Sequence, residues 1–205
     1  LAGRLSQRLA LIATGFALVA SACGSEPQRP VASVRSVSLA AGPHPVAVVS
    51  VEKLGKIRIE LLPEAAPQTV AQFEKLAGEG FYDGTTFHRV IPRFMIQGGD
   101  PNSKDADPAN DGFGGPGYTL RAEFNDVPHL PGTVSMGRAS GPDTAGSQFF
   151  IMTTASEPWR PQLDGQYTAF GRVLSGQDIV DRISAAPRDA NDRPLADGDC
   201  PLVKK

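Results

Sequence analysis

The residues with the greatest potential for chemistry lie in one stretch, TTFHRVIPRFMIQGGD, at positions 85 to 100. It places His88, Arg89 and Gln97 among apolar side chains in a β-like pattern. Arginine presents several N–H donors on a planar, permanently charged group, and glutamine presents both a donor and an acceptor. Either these groups lie on a solvated face, or they line a pocket that acts on a substrate.

Metal and nucleic-acid chemistry find no support in the sequence. His44, His88 and His129 lie far apart, without metal-ligand spacing. The two cysteines, Cys23 and Cys200, build neither a zinc site nor a disulfide framework. A formal net charge of −2 shows no nucleic-acid footprint. We therefore expect no metal and no nucleic-acid partner.

The surrounding segments predict a fold that is mainly β. Residues 46–52 and 56–63 predict two strands, and in the second Ile57, Ile59 and Leu61 alternate with charged residues. Further strands are predicted at TTFHRV, FMIQGG, GTVSM, SQFFIMT and YTAFGRVL. Helical spacing is confined to APQTVAQFEKLAGEGFY and the shorter GQDIVDRIS. This balance favours a closed antiparallel barrel or a sandwich with helical caps.

Length and composition fit one globular domain with its own core. The chain has 205 residues, of which 40% are hydrophobic and 20% charged, unlike a disordered protein. Its 22 glycines and 18 prolines predict many turns. The longest predicted loop, residues 101–118, is rich in Gly, Pro, Asp and Asn, and loops of that length are usually functional or mobile.

The N-terminus follows the three-part pattern of a secretory signal. Arg4 and Arg8 precede an apolar run, Leu9–Ala20, and small residues lead to Cys23. The run has 12 residues, too few to span a bilayer as a helix. The alternative, a buried helix of the domain, is the weaker interpretation because the following residues cannot continue a fold.

The stretch VASAC resembles the bacterial lipoprotein cleavage box, which implies a lipidated Cys23. We therefore expect a signal peptide at residues 1–22, a flexible tether at 23–44 and a folded domain at 45–205. The tether is assigned from its Ser, Pro, Ala and Gly content. An ordinary disordered N-terminus predicts the same chain conformation and differs only in the lipid.

Three long motifs, FHRVIPRFMIQGGD, SMGRASGPDTAGSQFFI and LDGQYTAFGRV, resemble those of the cyclophilin-type peptidyl-prolyl cis-trans isomerases, in that family's order. The resemblance covers roughly residues 45 to 186. It implies a closed eight-stranded antiparallel β-barrel capped by two α-helices. It also implies an enzyme that rotates X-Pro amide bonds in proline-containing polypeptides and requires no cofactor.

The resemblance implies a role for each matched position. Arg89 is similar to the family's catalytic arginine. Among the other matched residues, the apolar side chains are expected to hold the substrate proline ring, and the polar residues and glycines to orient the substrate backbone. The expected substrate-binding residues are His88, Phe94, Met95, Gln97, Gly112, Gly137, Arg138, Ala139, Gln148, Phe150, Leu163 and Tyr167.

Strand periodicity alone leaves another interpretation open for these positions. The apolar members, Phe94, Met95 and Phe150, could simply belong to the core. Strict alternation also puts His88 and Arg89 on opposite faces, and Phe94 and Met95 likewise. Gathering all of them in one groove would require a bulge or a strong twist.

Three departures from the family pattern are visible, and one is Tyr167, which stands where eukaryotic members carry a histidine. Gln162 stands where eukaryotic members often carry a tryptophan that contacts the inhibitor cyclosporin, so we expect weak cyclosporin binding, with Trp159 as a partial substitute. Residues 186–205 offer few apolar side chains for a last strand, Cys200, Leu202 and Val203. We therefore expect the barrel to be closed by a short strand.

The combined expectation is a monomeric, membrane-anchored isomerase that faces the periplasm or cell exterior and acts on unfolded or partly folded exported proteins. A proline-peptide binding module or holdase with incidental catalysis is the alternative, because binding and catalysis use the same groove. A solute-binding lipoprotein would explain the N-terminus but not the motifs.

Overall fold

The structure is a computed structural model that describes residues 34–39 and 42–195, together with the backbone of 203–204. The predicted signal peptide, Cys23 and Cys200 lie outside the described residues, as does most of the predicted tether. Within the described ranges, no helix combines the length and the apolar character needed to cross a membrane.

The fold is built on one antiparallel sheet. Its strands are β1 Val46–Val51, β2 Gly55–Leu61, β3 Arg89–Ile91, β4 Met95–Gly98, β5 Thr133–Met136, β6 Phe149–Met152, β7 Ala169–Ser175 and β8 Val203–Lys204. The strand order is β3-β4-β6-β5-β7-β2-β1-β8. The helices are α1 Pro67–Gly78, α2 Arg160–Leu163 and α3 Gln177–Ser184, and single 3₁₀ turns occur at Pro101–Lys104, Pro108–Asn110, Pro142–Thr144 and Glu157–Trp159.

The prediction of a mainly β, antiparallel fold with a few helices is confirmed, but the closed eight-stranded barrel is wrong. Seven strands form an open, curled half-barrel, and the two-residue β8 only extends the β1 edge. The sheet stays open because β8 pairs with β1 alone, while β3 forms the opposite edge. At that edge the described residues of the C-terminal segment form a turn, in which the Val90 N–H donates to the Asp192 carbonyl oxygen at 2.8 Å.

Helix α1 fixes the main core against the sheet. Proline lies in its first turn, where the missing N–H costs no hydrogen bond. Val70, Phe73 and Leu76 share one buried face. The Phe73 ring meets Phe149 edge to face at 5.6 Å and Phe170 at 5.3 Å. Each such side chain contributes about 1.5–3 kcal/mol by leaving water, so the helix holds β6 and β7 in place.

Strand alternation divides the apolar side chains of β4 and β6 between two clusters. Ile96 and Ile151, which face each other in register, belong to the main core. Met95 and Phe150 point to the opposite face and form a smaller cluster with Leu163. The sheet therefore places a second apolar surface outside the core, next to β3.

Part of the predicted tether lies against the domain. The Arg35 N–H donates to the Phe124 carbonyl at 2.9 Å, and the Asp126 N–H donates back to the Arg35 carbonyl at 3.0 Å. Val37 N–H adds a bond to the Asp126 carboxylate at 2.9 Å. Residues 35–37 thus make a short strand-like contact with the described domain.

Candidate active site

A small cavity of about 100 Å³ opens on the second apolar face. It is lined by Arg89, Phe94, Met95, Gln97, Arg138, Phe150, Leu163 and Tyr167. All of these residues belong to the set expected from the sequence. A space this small is below the size of most ligand pockets and suits a single side chain.

The register of three neighbouring strands brings the polar and apolar groups together. Arg89 lies opposite Gln97 across β3 and β4, and Gln97 lies opposite Phe150 across β4 and β6. No register shift interrupts these pairs. Phe94 joins Met95 in the cavity because it lies in the turn before β4, where Arg93 takes a left-handed φ of 61°. A turn, and not a bulge, resolves the alternation problem.

The Arg89 side chain is 44% exposed, so its guanidinium is accessible at the cavity wall. Its Nε lies 3.8 Å from the Asp192 carboxylate, which also accepts a hydrogen bond from Arg188 at 3.1 Å. Because Asp192 holds Arg89 at its Nε and the side chain is otherwise accessible, the guanidinium can donate hydrogen bonds to a ligand in the cavity.

Aromatic contacts hold the cavity walls. The Phe94 ring stacks on Trp159 at 4.4 Å, and the Phe150 ring meets Tyr167 edge to face at 5.6 Å. Met95 and Phe150 are themselves buried. Rings packed in this way keep few alternative rotamers, so the cavity is preformed.

A histidine that the sequence did not single out supports Phe150 from behind. His129 is buried and stacks on the Phe150 ring at 6.0 Å. Its Nδ1 lies 3.0 Å from the Asp164 carboxylate, and its Nε2 lies 3.1 Å from the Ser135 hydroxyl. Burial lowers the pKa of His129, although the bond to Asp164 acts in the opposite direction. The neutral ring can therefore donate to Asp164 and accept from Ser135.

A larger groove of about 590 Å³ continues from the small cavity and shares Gln97 and Arg138 with it. It contains four more of the expected residues, Gly112, Gly137, Ala139 and Gln148. The sequence did not single out several of its other members, among them Phe113, Tyr118, Thr119, Thr144 and Ser147. Phe113 is 86% exposed at this groove, an unusual placement for a large apolar side chain.

Two glutamines connect the groove wall to the long loop. Gln97 Nε2 donates to Gln148 Oε1 at 2.9 Å. Gln148 Nε2 in turn donates to the carbonyls of Gly112 and Gly114, each at 2.9 Å. The amides are thereby fixed in orientation, with Gln97 lining both cavities.

The loop itself is organised by Asp100, whose role sequence reasoning missed. This carboxylate is fully buried and accepts the N–H groups of Asn102, Gly112 and Gly114. The backbone of Gly114 lies so close to this carboxylate that a Cβ at Gly114 would be 2.1 Å from Asp100 Oδ1. An aspartate at the start of a Gly/Pro/Asn-rich loop was the available signal, since such residues bond to nearby backbone.

The structure does not bring His88 into either cavity. Its side chain is buried below the loop, and a Cβ at Gly112 would be 3.9 Å from its ring. Among the described residues, neither ring nitrogen makes a hydrogen bond of normal geometry. Burial lowers the pKa of His88. His88 precedes β3, which begins at Arg89, so the register of the strand does not fix its side chain in the cavity.

Comparison with known proteins agrees with this geometry. Residues 46–201 match the family model described as cyclophilin type peptidyl-prolyl cis-trans isomerase/CLD. The peptidyl-prolyl cis-trans isomerase B of Bacillus subtilis is 53% identical over 131 residues, which are 63% of this chain and 83% of that protein. A probable peptidyl-prolyl cis-trans isomerase of Brucella suis is 45% identical over 157 residues, 74% of this chain and 78% of that protein.

Solved structures show the same likeness in three dimensions. A Cryptosporidium parvum cyclophilin-type isomerase, crystallised in the presence of the dipeptide Ala-Pro, is 30% identical and superposes with a TM-score of 0.67, covering 78% of this chain and 96% of that one. A cyclophilin of Hirschia baltica is 25% identical with a TM-score of 0.60, covering 79% of this chain and 73% of that one.

Proposed function

Because the chain belongs to the cyclophilin-type peptidyl-prolyl cis-trans isomerase family, we propose that Arg89 and the small cavity beside it catalyse rotation about X-Pro amide bonds. One observation carries the assignment of the site. An accessible guanidinium and an apolar slot of single-side-chain size share one wall, with Gln97 between Arg89 and Phe150 in register.

The reaction breaks no bond, so it needs a group that favours the twisted amide. Resonance keeps the amide planar against a barrier of about 18–20 kcal/mol. At the top of the barrier the C–N bond is single-like, and the nitrogen gains a free lone pair. The Arg89 guanidinium donates a hydrogen bond to that lone pair, which is absent in the planar ground state, and so stabilises the transition state selectively.

The apolar walls hold the proline ring while the preceding residue turns. The ring has no polar handle, so Phe94, Met95 and Phe150 grip it by shape and burial. A 10⁴-fold acceleration corresponds to about 5.4 kcal/mol of barrier reduction. One preorganised charged donor supplies about 3–4 kcal/mol of this, and positioning supplies the rest.

The neighbouring groove orients the substrate backbone. Gln97 and Gln148 are fixed by their mutual bond and line this groove together with the Gly137–Ala139 segment. Backbone donors and acceptors of an extended peptide find polar partners there, whereas the proline ring finds none in the small cavity. The larger groove therefore recognises the substrate backbone, and the small cavity binds the proline ring.

A cis-trans exchange measurement tests the function directly. We expect the full chain to accelerate isomerisation of an Ala-Pro peptide in a protease-coupled assay and in exchange NMR. No acceleration at micromolar protein would contradict the proposed function.

We further propose that the domain is an exported, monomeric lipoprotein whose clients are unfolded or partly folded exported proteins. The support is the charged, apolar and small-residue pattern that leads to Cys23. Cleavage before Cys23 and lipidation would anchor the domain to a membrane that faces the periplasm or the cell exterior. The mass of the membrane-extracted protein tests this, because an unlipidated chain that retains residues 1–22 would contradict it.

A further inference from the structure

We propose that the groove selects proline segments that carry an acidic side chain within two residues of the proline, and that Arg138 is the residue that recognises it. This rests on the proposed isomerase function of the same site and adds a substrate class to it. The inference starts from the charge of the groove and from the different surroundings of its two arginines.

The two connected cavities are lined by charges of one sign. Arg89 and Arg138 are their charged residues, and among the residues that the structure describes no aspartate or glutamate lines either space. The chain as a whole has a formal net charge of −2. A cationic groove in an anionic protein favours substrates that bring negative charge to it.

Arg138 keeps its charge unpaired, unlike Arg89. Arg89 has the Asp192 carboxylate at 3.8 Å. Arg138 instead donates from Nε to the Gln166 carbonyl at 3.3 Å and from Nη1 to the carbonyls of Ala139 at 3.0 Å and Ser140 at 3.2 Å. Within the described part of the chain, no carboxylate forms an ion pair with it. Neutral carbonyls fix the guanidinium without cancelling its charge.

The Arg138 guanidinium is also held over an aromatic face. Its Cζ lies 4.5 Å from the centre of the Tyr167 ring, within the range of a cation–π contact. A cation that is already held in place loses little conformational entropy when a carboxylate binds. Preorganisation is what distinguishes such a residue from an ordinary surface arginine.

Arg138 stands where the small cavity meets the larger groove, because it lines both. A peptide whose proline fills the small cavity continues along this boundary, so side chains adjacent to the proline pass the guanidinium. A glutamate there gains a charge-assisted bond, whereas a lysine meets repulsion. Exposed charge pairs of this kind correspond to a preference of about twofold to fivefold.

The experiment compares proline peptides that carry Glu, Gln or Lys at each position within two residues of the proline, with alanine at the other positions. The full-length wild type, Arg138→Gln, Arg138→Lys and the remote control Lys75→Gln are assayed for kcat/KM at low and high salt. We expect wild type and Lys75→Gln to favour at least one Glu peptide over its Gln counterpart by about twofold to fivefold, less at high salt. Arg138→Gln should lose that preference, and Arg138→Lys should retain part of it.

Two results would overturn the proposal. One is equal wild-type kcat/KM for Glu and Lys peptides at every position, a measurement that needs no variant to fold. The other is a uniform loss for all peptides in Arg138→Gln, which would make Arg138 a structural clamp of the 138–140 turn. Failure to accelerate even the uncharged peptide would instead contradict the proposed isomerase function, so the two failures are distinguishable.

Discussion

Arg89 and Asp192 form an ion pair, with Nε and Oδ2 3.8 Å apart, that ties the proposed catalytic side chain to the C-terminal segment. The same aspartate accepts the Val90 N–H with its backbone carbonyl at 2.8 Å. Its left-handed φ of 62° turns the chain back at this point. The described part of the C-terminal segment therefore contacts the strand that carries Arg89.

We predict that Asp192→Asn lowers kcat/KM by about threefold to tenfold, because a partly exposed pair contributes about 1 kcal/mol to positioning. The free energy of unfolding should change by less than about 0.5 kcal/mol. Protease-coupled kinetics and urea denaturation measure the two effects, with Asp178→Asn as the remote charge control. Unchanged kinetics would show that Asp192 does not orient Arg89.

Trp159 is the only tryptophan of the chain, and its stacking on Phe94 makes it a reporter of the small cavity. A ligand that fills the cavity changes the polarity around the indole, so we predict a saturable change in fluorescence with Ala-Pro peptides. Cyclosporin should produce it only at high concentration, because Gln162 replaces the family's common tryptophan. A tight cyclosporin inhibition curve would contradict the expected weak cyclosporin binding. Phe94→Ala, which removes one wall of the small cavity, serves as the control for peptide binding there.

The 101–118 loop offers a matched pair of glycine substitutions. At Gly114 an added Cβ would lie 2.1 Å from Asp100 Oδ1, whereas at Gly115 it would meet nothing within 4 Å. We predict that Gly114→Ala costs about 1–3 kcal/mol of stability and lowers kcat/KM, because the buried carboxylate must move. Gly115→Ala should stay within about 0.5 kcal/mol of wild type. Equal effects of the two substitutions would show that Asp100 does not organise the groove.

We predict that His88 and His44 contribute to stability with opposite pH dependences. Burial lowers the folded-state pKa of His88, so the unfolded chain binds a proton first as pH falls below the ordinary value of about 6.5. The contribution of His88 to the free energy of unfolding is therefore complete above about pH 6.5, and it is lost as the pH falls toward the lower folded-state pKa. His88→Phe should flatten this part of the acid slope, measured by urea denaturation between about pH 8 and 4.5.

His44 has the opposite sign. Its bond to Glu60, at 2.9 Å, raises the pKa of His44, so its contribution is full below about pH 6.5 and lost as pH rises through the raised value. His44→Gln should therefore lose stability mainly at acidic pH. Parallel pH profiles for His44→Gln, His88→Phe and wild type would contradict both assignments.

The small cavity was predictable because its residues lie in long motifs on adjacent strands, where register alone brings Arg89, Gln97 and Phe150 into one row. The features of the site that the sequence did not predict depend on tertiary contacts between distant segments. Nothing in the sequence places Asp192 beside Arg89, or His129 behind Phe150. The prediction of a closed barrel was wrong for a related reason, since the sequence does not show which sheet edge β8 pairs with, and it pairs with β1.

The most direct test of the central claim is Arg89→Ala, assayed for both catalysis and binding. We predict a loss of about 10²–10³-fold in kcat/KM for an Ala-Pro peptide, and Arg89→Lys should not restore it because a point charge lacks the planar fork. Peptide affinity, read from Trp159 fluorescence, should stay within about threefold, as it should for the exposed control Arg58→Ala. Unchanged kcat/KM in Arg89→Ala would contradict the catalytic role and leave a groove that only binds proline segments.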